Sequence, residues 1–112
     1  MLKEEIQKLA QQIHADVVSF RRHLHRYPEL SYQEYKTSEF IKAQLDAMGI
    51  AWSSVAGTGI VAIIEGELKS NAAIALRADI DALPIQEKND VEYVSQHSGV
   101  MHACGHDFHT SS

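Results

Sequence analysis

Apolar residues fall at Leu2, Ile6, Leu9, Ile13, Val17, Phe20 and Leu24, always three or four positions apart. That spacing draws one stripe along a long amphipathic helix and asks for a core to lie against it. Arg21, Arg22 and Arg26 sit near the C-terminal end, where positive charge suits the helix dipole, and Pro28 forbids simple continuation. A second helix is predicted from Ser31, because Ser31 and Glu34 have the spacing of a capping box. Tyr35, Ser38, Ile41, Leu45 and Met48 mark its buried face, and Gly49 is a natural residue just past its end.

After Gly49 the pattern changes. "TGIVAIIEGE" and "NAAIALRAD" are short apolar runs bounded by Gly, Ser and Asn, and they read as strands. The short link "ELKSN" predicts that these two are antiparallel neighbours. "AWSSV" is a further candidate strand. The stretch after Pro84 reads as a polar loop with an irregular strand, and "HDFHTSS" opens a helix. The fold class expected is α/β: two helices, then strands of a mixed sheet.

The balance of charge narrows the partners. A net charge of -5 argues against nucleic acid, which needs a basic face. No apolar run approaches the roughly 20 residues of a membrane span. The charged, helical N-terminus is unlike a secretory signal. A single cysteine, Cys104, forms no intramolecular disulfide, and the simplest location for the chain is the cytoplasm.

Three stretches carry chemistry. In the first, Cys104, Asp107 and the histidines His102, His106 and His109 fall within eight residues. A thiolate and an imidazole two positions apart can both reach one cation if Gly105 allows a tight turn, and that pair suits zinc and similar ions. Asp107 is placed to orient a ligand imidazole from behind. The blander alternative is a buried thiol beside surface histidines. A cysteine nucleophile activated by His102, His106 or His109 is a third reading. In the second stretch, Asp79 and Asp81 alternate at the end of an apolar run, so both can face one side. Two such carboxylates repel unless a cation or proton lies between them. Alone, the stretch also fits a solvated turn closed by Pro84. The third stretch, "RRHLHRYPEL", holds His23, His25 and three arginines, and is read as charge that compensates the helix dipole.

Taken together, "RRHLHRYPELSYQE", "ALRADIDALPIQE" and "SGVMHACGHDFHT" resemble the N-terminal part of the M20 metallopeptidase family. The resemblance is to its amidohydrolase branch, which includes N-acyl-amino-acid deacylases, hippurate hydrolases, N-acetyldiaminopimelate deacetylases and auxin-conjugate hydrolases. It covers the chain from about Arg21 onward.

The resemblance implies a zinc-peptidase-like catalytic domain with a smaller inserted dimerisation domain, so that residues 1–112 are the N-terminal part of the catalytic domain. It implies two divalent metal ions (zinc, manganese, cobalt or nickel) and hydrolysis of the amide bond of a small-molecule N-acyl amino acid by a homodimer or homo-oligomer. Cys104 and His106 match the first two metal ligands, and Asp81 an active-site aspartate that orients a ligand. Asp79 stands where other branches place a ligand histidine and is not counted as one. Asp107 and His109 are expected to support the ligands from behind. The family's catalytic glutamate, an adjacent ligand glutamate and two further ligand histidines lie beyond the "CGHD" stretch. The 112-residue chain by itself is therefore expected to hydrolyse no amide. A small non-enzymatic α/β binding module is the rival from another class, since an open sheet edge invites pairing.

Overall fold

Helix α1 runs from Leu2 to Arg26 in the computed structural model, which describes residues 1–112. It ends where Pro28, fully buried, follows the C-cap Tyr27. The apolar stripe is real but half of it has nothing to cover. Leu2, Ile6, Leu9 and Ile13 are 52–72% exposed, whereas Val17, Val18 and Phe20 are partly covered and Leu24 is buried. Only the C-terminal half of α1 meets other elements, so the expected core contact holds there alone. No helix is long and apolar enough to cross a membrane.

Helix α2 spans Tyr35–Ala47 and starts later than the capping-box spacing predicts. Ser31 lies in a turn in which Tyr32 has a φ of 65°. The orphan amides of the first helical turn are taken instead by Glu29, whose carboxylate accepts from Thr37 N (2.6 Å), Thr37 Oγ1 (2.7 Å) and Lys36 N (3.2 Å). A charged oxygen that reaches several donors outcompetes a serine hydroxyl for them. The C-terminus follows expectation. Gly49 at φ 71° donates to Asp46 O (3.0 Å) and Ile50 N donates to Leu45 O (2.9 Å), which is a Schellman closure.

Strands β1 (Trp52–Val55) and β2 (Gly59–Ala62) form one antiparallel pair, with Val55 opposite Gly59 and Trp52 opposite Ala62. This corrects the expected pairing of "GIVAIIEGE" with "NAAIALRAD". The reversal falls earlier, at Ala56 (φ 50°) and Gly57 (φ 82°), so β2 finds its partner immediately upstream. Gly59 is required there: a Cβ would lie 2.7 Å from Val55 O. Residues 72–78 join no ladder, and Ile74 and Leu76 are almost fully exposed. Thr58 Oγ1 ties the hairpin to α2 by donating to the buried Glu34 (2.7 Å).

A second, smaller set of backbone contacts positions the site. Ala82 N donates to Glu29 O (2.8 Å), and Leu83 and Met101 exchange two N–H···O bonds (2.9 and 3.0 Å). Residues 82–83 are thus held between the chain just after α1 and the chain just before Cys104. Helix α3, His106–Ser111, then packs on α1. Of the ten buried residues, seven are polar or charged: His25, Glu34, Thr37, Ser38, Glu87, His102 and Asp107. Polar contacts, more than apolar area, therefore fix how these elements meet.

Candidate metal centre

His106 begins α3 and Asp81 ends the segment that enters the bridge at Ala82. The two meet closely: His106 Nδ1 lies 2.9 Å from Asp81 O and 2.9 Å from Asp81 Oδ1. Both neighbours are acceptors, so Nδ1 carries the proton and donates it. The other nitrogen, Nε2, lies 3.8 Å from Asp79 Oδ2 and makes no hydrogen bond. A neutral ring in this orientation turns its lone pair toward a carboxylate. Those two groups share a need for a cation, either a proton on the ring or a metal ion between them. Asp79 also accepts from Arg77 at 2.6 and 3.3 Å, and its backbone carbonyl accepts from Thr110 Oγ1 of α3 (2.8 Å).

Cys104 is free and exposed, and its thiol makes no hydrogen bond to an imidazole. The arrangement of a nucleophile beside its base is therefore not found. Gly105 has a φ of 177°, extended backbone open to any residue, and an added Cβ would touch the His109 ring at an ordinary 3.4 Å. The turn therefore does not depend on glycine in the way the spacing suggests. His109 packs against this backbone and donates its N–H to Gly105 O (2.9 Å). No three His, Cys, Asp or Glu side chains of the chain are arranged so that by themselves they could hold a metal ion. A soft thiolate, an imidazole and a nearby carboxylate suit a borderline divalent ion, but two or three donors leave coordination positions for other ligands.

Asp107 does not face a candidate ligand. Its Oδ2 accepts from His25 Nδ1 (2.9 Å) and Arg21 Nε (3.0 Å), and its Oδ1 accepts from Phe108 N (2.9 Å). His25 Nε2 meets Glu87 Oε2 at 2.9 Å. This corrects the reading of "RRHLHRYPEL" as helix-dipole compensation. His25 is buried between two carboxylates, and Arg21 and Arg22 lie over the Tyr93 ring at 5.3 and 4.7 Å. Arg26 Nη2 donates to Glu92 O (2.9 Å), while its own carbonyl accepts from Gln96 N (2.8 Å). The end of α1 is a docking surface for the loop 87–97. His23, by contrast, stacks on Phe40 at 3.9 Å, and burial, with Arg26 nearby, pushes its imidazole below the ordinary value. A cavity of about 230 Å³ beside His23, Tyr27, Glu29, Lys36 and His97 contains none of the candidate residues.

His102 is buried and its Nε2 has no partner. Burial pushes its imidazole below the ordinary value, His25 and His106 push the same way, and the Asp107 and Asp81 carboxylates oppose them. The ring stays neutral near pH 7.

Glu87 shows the opposite balance. Burial pushes its carboxyl up, but hydrogen bonds from His25, Asn89 (2.9 Å) and the Ser95 amide (2.7 Å), with the charge of His25, more than reverse this. Its folded pKa therefore lies below the unfolded one, and the folded state binds the proton less readily. The resulting stability is present above the unfolded glutamate pKa of about 4.3 and is lost as pH falls through the folded value. The urea midpoint of the protein carrying this chain is expected to fall on acidification across that window, and Glu87→Gln to flatten that acid limb. An unchanged acid limb in the variant would show that Glu87 does not contribute.

Residues 75–112, which carry all the candidate residues, match peptidase family M20/M25/M40. The rest of the chain is matched through individual relatives, with amidohydrolases among them. It is 47% identical over 112 residues to an N-acyl-L-amino acid amidohydrolase of Geobacillus stearothermophilus, covering 99% of this chain and 30% of that protein. It is 56% identical over 97 residues to an N-acetyl-L-cysteine deacetylase of Bacillus subtilis, covering 86% of this chain and 23% of that one. Among solved structures it resembles the YXEP protein of Bacillus subtilis, described as a dinuclear metal-binding peptidase of the M20 family (TM-score 0.84, 45% identity, 90% of this chain and 29% of that one). It also resembles a putative aminohydrolase from methicillin-resistant Staphylococcus aureus (TM-score 0.89, 38% identity, 99% and 29%). The chain thus spans 23–30% of the length of the curated relatives it matches, and its helices and antiparallel strand pair are those of part of an M20 peptidase domain.

Proposed function

We propose that the protein carrying this chain hydrolyses the amide bond of N-acyl amino acids, releasing a carboxylate and the amino acid, with divalent metal ions at the centre. Residues 1–112 supply Cys104 and His106 as ligands and Asp81 as the carboxylate that orients His106. The observation that carries this reading is the His106 ring, anchored through Nδ1 to Asp81 with Nε2 left free 3.8 Å from Asp79. The names of the amidohydrolase and deacetylase relatives support the reaction class, and the dinuclear neighbour supports the metal.

When bound, divalent metal polarises the scissile carbonyl and makes water nucleophilic near neutral pH. The chain's own residues prepare the place. Asp81 holds the Nδ1 proton, which fixes the tautomer and leaves Nε2 as the donor atom. Cys104, exposed, offers its sulfur as a thiolate ligand. Asp79 supplies negative charge that favours a cation at Nε2. The remaining ligands, the general base, a dimerisation domain and a homodimeric, cytoplasmic enzyme are part of the same proposal.

The test is turnover of N-acetyl and N-benzoyl amino acids with metal analysis on the same preparation. Loss of both metal and turnover in chelator, with recovery on adding zinc, manganese, cobalt or nickel, is the expected result. Turnover that persists in chelator but is lost to thiol alkylation would replace the proposal with a cysteine hydrolase. A metal-free, inactive oligomer would replace it with a binding module.

A further inference from the structure

We propose that His25 is a positioning residue for the candidate metal centre: a ring held between Glu87 and Asp107 sets the start of α3, and with it the His106 ring. The inference rests on the reading of His106 as a ligand. It begins from geometry that the reaction itself does not require. His25 is only 3% exposed, and each ring nitrogen lies 2.9 Å from a carboxylate oxygen, Nδ1 from Asp107 Oδ2 and Nε2 from Glu87 Oε2. A neutral imidazole donates through one nitrogen and turns a lone pair on the other. With carboxylates at both ends, the doubly protonated ring alone makes two favourable contacts.

Asp107 and Glu87 bring two carboxylates, while Arg21, 3.0 Å from the same Asp107 oxygen that meets His25, brings a guanidinium. Side chains this well buried are costly to charge unless paired in this way. Neither carboxylate has a freely movable partner. Glu87 is also held by Asn89 and the Ser95 amide, and Asp107 by the Phe108 amide in the first turn of α3. One ring therefore joins α1, the loop after Asp81 and the helix that opens with His106.

The consequence is registration. His106 and Asp81 meet at 2.9 Å, yet they belong to segments 25 residues apart. The His106 backbone is fixed by its neighbour Asp107, and the loop that follows Asp81 is fixed by Glu87. Both are fixed to His25. Removing one donor from His25 frees one side of the clasp. A displacement of about 1 Å at a reacting centre can cost on the order of 100-fold in rate.

The experiment uses His25→Gln in the protein that carries this chain, which keeps a side-chain N–H but removes the second ring nitrogen that reaches the other carboxylate. Two readouts are taken: cobalt(II) affinity with its visible absorption spectrum, and the His106 Nδ1–H proton resonance in metal-free protein. The variant is expected to bind cobalt about 10–100-fold more weakly with an altered spectrum, the scale for losing a partner behind a ligand. It is also expected to shift or lose the His106 resonance. Leu24→Ala, a buried apolar truncation one position earlier, is expected to lower the unfolding midpoint while leaving spectrum and resonance unchanged. If His25→Gln does not fold, Glu87→Gln, which keeps an acceptor at Nε2, is expected to move both readouts in the same direction by less. Cobalt affinity, spectrum and resonance all as in the wild type would overturn the positioning role alone. Wild-type protein that takes up no cobalt would overturn the metal reading, and the inference with it. A Leu24→Ala variant that moves the spectrum as far as His25→Gln would reduce His25 to a general stabilising contact and overturn the proposal.

Discussion

Cys104→Ser is expected to strip metal and amidase activity together from the protein that carries this chain, and His106→Ala to do the same. Partners that merely orient a ligand are worth about 10–100-fold in metal affinity, so a direct ligand should be worth more than about 100-fold. Serine keeps the size of the cysteine but offers a hydroxyl in place of a thiolate, and borderline ions bind it far less well. Cys104 is exposed and outside every hydrogen-bonded network, so its replacement should leave the unfolding midpoint nearly unchanged. That contrast gives the experiment its power: metal content falls while stability does not. Asp81→Asn should fall between, because the Asp81 backbone carbonyl still accepts from His106 Nδ1. Full activity and unchanged metal stoichiometry in Cys104→Ser would rule out the ligand assignment.

Asp107→Ala should act through stability. The carboxylate is 3% exposed and is the common partner of His25 and Arg21. Removing one member of a buried charged cluster leaves the others without compensation and costs about 3–5 kcal/mol. Domains are stable by only about 5–15 kcal/mol, so the loss should appear as a large fall in the urea midpoint or in soluble yield. The pair Arg77–Asp79 is the comparison. Arg77 is 81% exposed, and Arg77→Ala should hardly move the midpoint. Equal effects from the two substitutions would mean that burial does not set the strength of the Asp107 cluster.

The sequence reveals the local features well. Period-3.6 spacing finds α1, and Gly49 marks the end of α2 because the positive φ there is a local demand that few residues meet. The clustering of Asp81, Cys104 and His106 in motifs makes them visible as candidates. Longer-range choices are not visible. Glu29 captures the first amides of α2 from outside the helix, which no capping pattern within the helix foretells. The hairpin forms at Ala56–Gly57 because a tight reversal brings β1 to β2 before any later strand can compete. His25 looks like helix-end charge because both its partners lie 62 and 82 residues downstream. Two histidines spaced like a buried face and an exposed face, His23 and His25, were the available hint, and only the burial of one of them gives it meaning.

The 82-residue separation between His25 and Asp107 also orders events during synthesis. At typical elongation rates of about 5–20 residues per second, His25 leaves the ribosome roughly 4–16 s before Asp107. Until then the His25 ring has no Asp107 carboxylate to close on. The ring that joins the three segments is complete only when the CGHD stretch emerges, so α1 waits for the segment that His106 opens.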